Sequence, residues 1–160
     1  MIPTPEKHLA AALGRIPSGL FILTLRRGEI ETGMLASWVQ QCSFAPPCVS
    51  VALQRGREIG ALLTTGSSFC LNVLEEGQTD LIAHFGRGFA VKDDAFVGLD
   101  CQRGRPEGVI LTETLVHLDC RVLERFAAGD HDLFIAQVVA GNMLGDGQPM
   151  VHIRKNGLHY

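Results

Sequence analysis

The sequence predicts a mainly β fold, a β-barrel with a few short helices, and three observations predict it. Short runs rich in apolar, β-branched and aromatic residues recur along most of the chain. Glycine-bearing turns separate them, as at Arg26-Arg27-Gly28-Glu29, Ala128-Gly129-Asp130 and Gly145-Asp146-Gly147. The regular strand–helix alternation of a doubly wound sheet is missing, and no G-x-G-x-x-G or G-x-x-x-x-G-K motif occurs. A Rossmann fold and a P-loop are therefore excluded, and a barrel or sandwich of short strands remains.

The elements follow in order. Pro5-Glu6-Lys7 opens a segment with Leu9, Leu13 and Ile16 on one face, which predicts a short helix. Gly14, Pro17 and Gly19 end it. Residues 19–25 predict a strand, 26–29 a turn and 32–37 the returning strand. Residues 48–53 and 68–74 are short apolar runs of strand type, while helical patterns fit only 57–63 and 79–85. Two long strands are predicted over 114–126 and 132–143, then a strand-like tail over 150–160. No internal repeat, low-complexity tract or long linker stands out, so residues 1–160 read as one domain.

Composition narrows the function. A chain of 160 residues buries about two thirds of the surface it exposes when unfolded, so a real core is available. Hydrophobic residues make up 46% and charged residues 19%, with a mean hydropathy of +0.18, which excludes a disordered chain. Fourteen Lys and Arg against 17 Asp and Glu give a net charge of −3, so no cationic excess exists to bind nucleic acid. The apolar share is high for a lone monomer, which points to a subunit interface or a cofactor. Cys42, Cys48, Cys70, Cys101 and Cys120 are odd in number and form no C-x-x-C pair. They read as small buried hydrophobes in a reducing compartment. The six histidines share no metal-ligand spacing, so no metal site is expected. The N-terminus shows no secretory pattern and no apolar run approaches the ~20 residues of a membrane span. A cytoplasmic protein is expected.

The least ordinary stretch is residues 33–47, where a predicted strand runs into Ser37-Trp38-Val39-Gln40-Gln41-Cys42-Ser43 and stops at Pro46-Pro47. The prolines predict that strand pairing ends before them, leaving the amides between Ser37 and Ser43 without ladder partners. Free amides beside the only tryptophan suit a flat heterocycle rich in acceptors; an ordinary solvated crossover loop fits the same residues.

This stretch resembles the FMN-binding loop of the flavin reductase-like family, whose fold is a split β-barrel. The resemblance continues through Val49 to Leu53, Arg57-Glu58-Ile59, Phe69-Cys70-Leu71-Asn72-Val73-Leu74 and His84-Phe85-Gly86-Arg87. It recurs in Gly129-Asp130-His131-Asp132 and in the closing Arg154-Lys155-Asn156-Gly157-Leu158-His159-Tyr160, covering residues 10 to 160 in order. The opening Leu13-Gly14-Arg15-Ile16-Pro17-Ser18-Gly19 and the Ala36-Ser37-Trp38-Val39 core are similar to the flavin reductase modules fused to cyanobacterial flavodiiron proteins. The resemblance implies an FMN-binding split barrel, with FMN favoured over FAD and NAD(P)H as electron donor. It implies flavin donors, largely main-chain, at Ser37, Trp38, Val39, Gln40, Cys42 and Ser43, and phosphate cations at Arg57 and Arg87. His131 is placed near the flavin as a nicotinamide-positioning residue, and Asn72 as a structural amide. Family members carry an aromatic pair near the C-terminus where this chain has His152-Ile153 and keeps only Tyr160.

Hydride transfer between nicotinamide and flavin needs no protein nucleophile or general acid, so no catalytic side chain is assigned. The expected function is an NAD(P)H-dependent flavin reductase, a homodimer with two sites at its two-fold interface, passing electrons to a partner acceptor protein. The alternatives are a non-enzymatic FMN-binding electron-transfer or sensing module acting with a partner protein, and a barrel interaction domain without cofactor.

Overall fold

A computed structural model describes residues 4–159, and its longer strands join one antiparallel sheet. The chain begins with helix α1 (Pro5–Leu13) and the short strand β1 (Ser18–Gly19). The hairpin β2 (Phe21–Arg27) and β3 (Ile30–Ala36) follows, then the hairpin β4 (Val39–Phe44) and β5 (Pro47–Gln54). One-turn α2 (Glu58–Ala61) leads to β6 (Ser68–Val73) and α3 (Thr79–Gly86). A segment carrying only β7 (Cys101–Gln102) and β8 (Ile110–Leu111) precedes the long hairpin β9 (Val116–Ala128) and β10 (His131–Met143), and β11 (Val151–His152) pairs back to β1. The seven-stranded sheet runs β3-β2-β6-β9-β10-β5-β4.

Local chemistry sets the hairpins. Arg27 pairs with Ile30 and Ala128 with His131, leaving two-residue connections whose first residue is a glycine at φ 58° or 61°. Only glycine takes that conformation without a steric penalty, so these turns fix the register of both hairpins. Leu23 and Leu25, Val51 and Leu53, Phe69 and Leu71, Cys120 and Val122, and Phe134 and Ala136 bury in a single cluster. These residues come from five strands, so the sheet is curled around them as a barrel, with Ile59 and Leu63 added from around α2. Leu81 and Phe85 of α3 and residues 95–111 pack on the outside against Leu20, Ile22 and Leu74.

Polar bonds tie the outer segment down. Asn72, fully buried, donates from Nδ2 to the carbonyls of Ile22 (3.2 Å) and Val109 (3.1 Å) and accepts the Leu111 N–H at Oδ1 (2.8 Å). Thr24 Oγ1 donates to the same Val109 carbonyl at 2.7 Å. At Gly108, φ 142°, an added Cβ would stand 2.6 Å from the Thr24 carbonyl oxygen, so the close approach requires glycine. Arg103 bridges Glu31 of β3 (2.8 Å) and Asp94 (2.9 Å). Cys48, Cys70 and Cys120 are buried, and burial pushes the Cys70 thiol up to about 12. Cys42 is exposed, unlike the buried hydrophobe the sequence suggests.

Four further expectations are corrected. Val39 to Phe44 is a strand laddered to β5, not a loop of free amides. Pro46 and Pro47 make the hairpin turn and the first position of β5, where a missing N–H costs little, so they bound the strand without preventing it. Helix α1 buries no residue: Leu9 and Ile16 are 53% and 62% exposed, because the segment lies outside the barrel. The tail is a strand only over Val151–His152. Beyond that it docks on the end of α1, where Arg154 N–H donates to the Gly14 carbonyl and Gly157 N–H to the Ala10 carbonyl. The helix expected over 57–63 shortens to α2. Tyr160 lies outside the described residues.

Asn72 gives a direct test of the stitching. Asn72→Ala leaves the buried Leu111 N–H and Val109 carbonyl short of a partner, and should cost about 2–4 kcal/mol in urea unfolding. A loss below about 0.5 kcal/mol would mean that water or backbone replaces the amide.

Candidate functional site

β3 and β4 are the two edges of the curled sheet, and β3 pairs on one side only, with β2. Its outward N–H and C=O groups have no strand partner among the described residues, so they are available to a ligand. A cavity of about 650 Å³ opens along this seam. Residues 32–37 of β3 and the β3–β4 link form one wall, and Ala52, Leu53 and Gln54 at the end of β5 form another. Leu20, Leu35, Ile82 and Phe85 make the floor apolar, while Met150, Val151 and His152 close one side. The cavity is therefore apolar in its body with edge-strand amides along one wall, a combination that suits a flat ring with polar edges.

Arg57 lies on the rim, as the residue before α2. Among the described residues its guanidinium forms no ion pair or side-chain hydrogen bond, which leaves it free for an anion. Glu58 also lines the cavity, and its Oε2 accepts the Val91 N–H at 2.8 Å, tying α2 to the segment after α3 whose Gly88, Phe89 and Ala90 line the cavity too.

A second cluster stands beside the seam. The Trp38 and His131 rings lie 4.7 Å apart at 39°, and the Arg154 guanidinium caps Trp38 at 4.9 Å from its centroid. The Trp38 carbonyl accepts the Ala52 N–H at 3.0 Å, tying the β3–β4 link to β5. His131 Nδ1 contacts Asp130 Oδ1 at 2.7 Å. The histidine is 7% exposed because it is the first residue of β10, paired with both Gln54 and Ala128. The hydrogen bond from His131 holds the Asp130 carboxyl below the usual carboxylate range.

The residues singled out in the sequence separate into three groups. Ser37 and Arg57 line the cavity itself. Trp38, Val39 and His131 sit at its border, around the start of β4 and β10. Gln40, Cys42 and Ser43 continue along β4, with Gln40 and Cys42 exposed and the Gln40 carbonyl accepting the Ser50 hydroxyl at 3.3 Å. Arg87 is exposed between Gly86 and Gly88, which do line the cavity. Its guanidinium bonds the His84 carbonyl at 3.3 Å and packs 5.6 Å over the Phe89 ring. The edge of β3 from Thr32 to Ala36, Glu58 and His152 were not marked as site residues by the sequence. His152 occupies the place where the resemblance departs from its family, and that departure was its signal.

The Asp130 contact can be read directly. A carboxyl held low stays ionised to a lower pH than a free one, so His131→Ala should raise the Asp130 midpoint towards the ordinary value of about 3.9. Carboxyl-carbon NMR titration checks this, and an unmoved midpoint would deny the contact.

Three likenesses to known proteins bear on this geometry. The flavin reductase-like domain model matches residues 13–157. Diflavin flavoprotein A 1 of Synechocystis sp. is 40% identical over 157 residues, which cover 97% of this chain and 27% of that protein. The chain thus spans about a quarter of the length of the curated relatives it matches. Among solved structures, the NADH:FAD oxidoreductase of Streptomyces globisporus C-1027 superposes with a TM-score of 0.84 at 24% identity, covering 96% of this chain and 92% of that one. The styrene monooxygenase flavin reductase of Pseudomonas putida S12 does so with 0.74 at 27% identity, covering 89% and 90%.

Proposed function

Because this chain belongs to the flavin reductase-like domain family, we propose that it is an NAD(P)H:flavin oxidoreductase that holds FMN in the seam cavity. The observation that carries the reading is an apolar seam cavity with unpaired edge-strand groups on one wall and a partnerless arginine on its rim. Those are the three needs of a flavin mononucleotide: a slot for the ring, fixed partners for the pyrimidine edge, and a cation for the phosphate. FMN, when bound, supplies the redox chemistry by accepting hydride from the nicotinamide.

The chain's own residues bind, orient and exclude water. The outward backbone groups of β3 and Ser37 give the ring edge its partners without reorganisation, since the sheet already fixes them. Arg57 takes the phosphate. Glu58 keeps residues 86–91 over the mouth and limits water entry. The Trp38–His131–Asp130 cluster stands beside the cavity, where it shapes a place for the nicotinamide. Gln40, Cys42, Ser43 and Arg87 lie off the cavity wall in a single chain, so they contribute through a second copy or not at all.

A homodimer follows from the same reading. Phe44 at the β4 tip is 91% exposed and Met143 at the end of β10 is 65% exposed, with Leu9 and Ile16 beside them in exposure if not in place. Such apolar surface is costly on a monomer. An electron-acceptor protein and a cytoplasmic setting complete the proposal. Among the described residues no helix is long and apolar enough to cross a membrane.

Anaerobic addition of NADH or NADPH to the FMN-loaded protein should bleach the flavin absorbance. A flavin that binds but never bleaches would favour the electron-transfer or sensing module instead. Arg57→Ala should weaken FMN by about 1.5–3 kcal/mol and leave riboflavin, which lacks the phosphate, unchanged. Equal losses would place Arg57 in the fold rather than on the phosphate. His131→Ala should raise the KM for NAD(P)H with FMN affinity kept, and identical saturation curves in stopped-flow would remove His131 from the site.

A further inference from the structure

Among the described residues, three in the lining of the seam cavity can carry charge: Arg57, Glu58 and His152. Arg57 and Glu58 are exposed at the rim, and Glu58 Oε2 already accepts the Val91 N–H. His152 is half-buried. Its placement follows from the chain around it. The Met150 N–H donates to the Leu74 carbonyl at 2.9 Å, and the Met150 side chain packs against the cluster of Leu20 and Phe85, which are also the cavity floor. Val151 then faces solvent, 64% exposed. Alternate residues of an extended chain share a face, so His152 returns to the Met150 side, and its backbone pairing with Ser18 of β1 holds it there. Among the described residues its ring makes no hydrogen bond or ion pair, so both ring nitrogens are open to a proton.

Few charges face this histidine. Its strand partner β1 brings Ser18 and Gly19, and the cavity walls from β3, β5 and α3 bring no charged residue. Across the cavity stand Arg57 and Glu58. In the tail that follows, the Arg154 guanidinium lies 4.9 Å from the Trp38 centroid and Lys155 is exposed. Hydride transfer loads this interior with charge: a nicotinamide C–H bond breaks, a flavin N–H bond forms, and the ring gains one negative charge. An uncompensated charge in apolar surroundings is costly. Arg57 is committed to the phosphate and Glu58 has the wrong sign. Histidine is the side chain that takes up a proton near neutral pH and becomes a cation.

We propose that His152 is the proton-accepting residue of this cavity: its imidazole binds one solvent proton as the flavin ring is reduced and releases it when the ring is reoxidised. The proposal rests on the reading of the cavity as the flavin site. No proton passes between His152 and the flavin. The half-buried imidazole exchanges its proton with water, and as a cation it offsets the charge that the hydride brings. Two electrons on the bound flavin are then accompanied by two protons, one in the new N–H bond and one on His152. Without the histidine they are accompanied by one.

The test is the midpoint potential of the bound flavin, measured by spectroelectrochemistry between about pH 5 and 8 for the full chain, His152→Phe and His152→Gln. Each proton taken up with a two-electron couple moves the potential by about 30 mV per pH unit, the equivalent of a tenfold change in proton activity. The wild type should show a two-proton slope over part of this range, and both variants a one-proton slope throughout. His152→Gln keeps a polar side chain and loses the titrating group, which separates the proton from packing. Relative to oxidised flavin, the variants should hold reduced flavin about tenfold less tightly at the acid end. The same two-proton segment with riboflavin in place of FMN supports a role towards the ring. Its loss with riboflavin would move His152 to the phosphate and overturn the proposal. A two-proton segment kept by either variant, or absent from the wild type, overturns it as well while leaving the flavin site standing. Failure of the wild type to bind any flavin overturns the cavity reading, and this inference with it.

Discussion

Leu23, Val51, Leu71, Val122 and Phe134 come from five different strands, yet all of them bury in one core. A flat sheet could not bring them together, so burying them curls the seven strands until the outermost ones approach each other. Burying side chains of this size yields roughly 1.5–3 kcal/mol each, so the curl is strongly imposed. The cost falls at the edges, where β3 keeps backbone groups with no strand partner. The seam cavity is the direct result. The same packing that stabilises the barrel leaves β3 with outward backbone groups beside apolar walls.

That seam is shaped from outside the barrel as well. Asn72 and Thr24 hold Val109 and Leu111 against the outer face of the sheet, and this packs residues 95–111 beside α3. The position of α3 in turn sets Ile82 and Phe85 in the cavity floor and brings residues 86–91 within reach of Glu58. Arg103 adds a tie to β3 itself through Glu31. A buried amide that does not line the seam cavity therefore helps to shape it, through elements that touch both.

Legibility followed the range of the interactions. The hairpins at Gly28 and Gly129 were readable because their signal is local: a glycine turn between alternating apolar residues. So were the long strands, within two residues at each end. Arg57 is singled out by the resemblance alone, and the structure places it in the lining of the seam cavity. β4 is not legible locally because two adjacent prolines read as the end of pairing, whereas they sit at a hairpin turn and at the start of the next strand. That distinction depends on which strand comes alongside, which no local window contains. For the same reason β3 was read correctly as a strand but not as an edge. Being an edge, and hence a source of free amides, is a property of the whole sheet order.

Charge shows how the site and the chain differ in scale. The protein as a whole carries a net charge of −3. Beside the seam, however, Arg55, Arg57 and Arg125 line one small cavity, while Arg154 lies over the Trp38 ring. Three of them are restrained, by Asp132 or by the Trp38 ring, and only Arg57 is not. A restrained guanidinium loses little entropy on meeting an anion, while a free one must be ordered first.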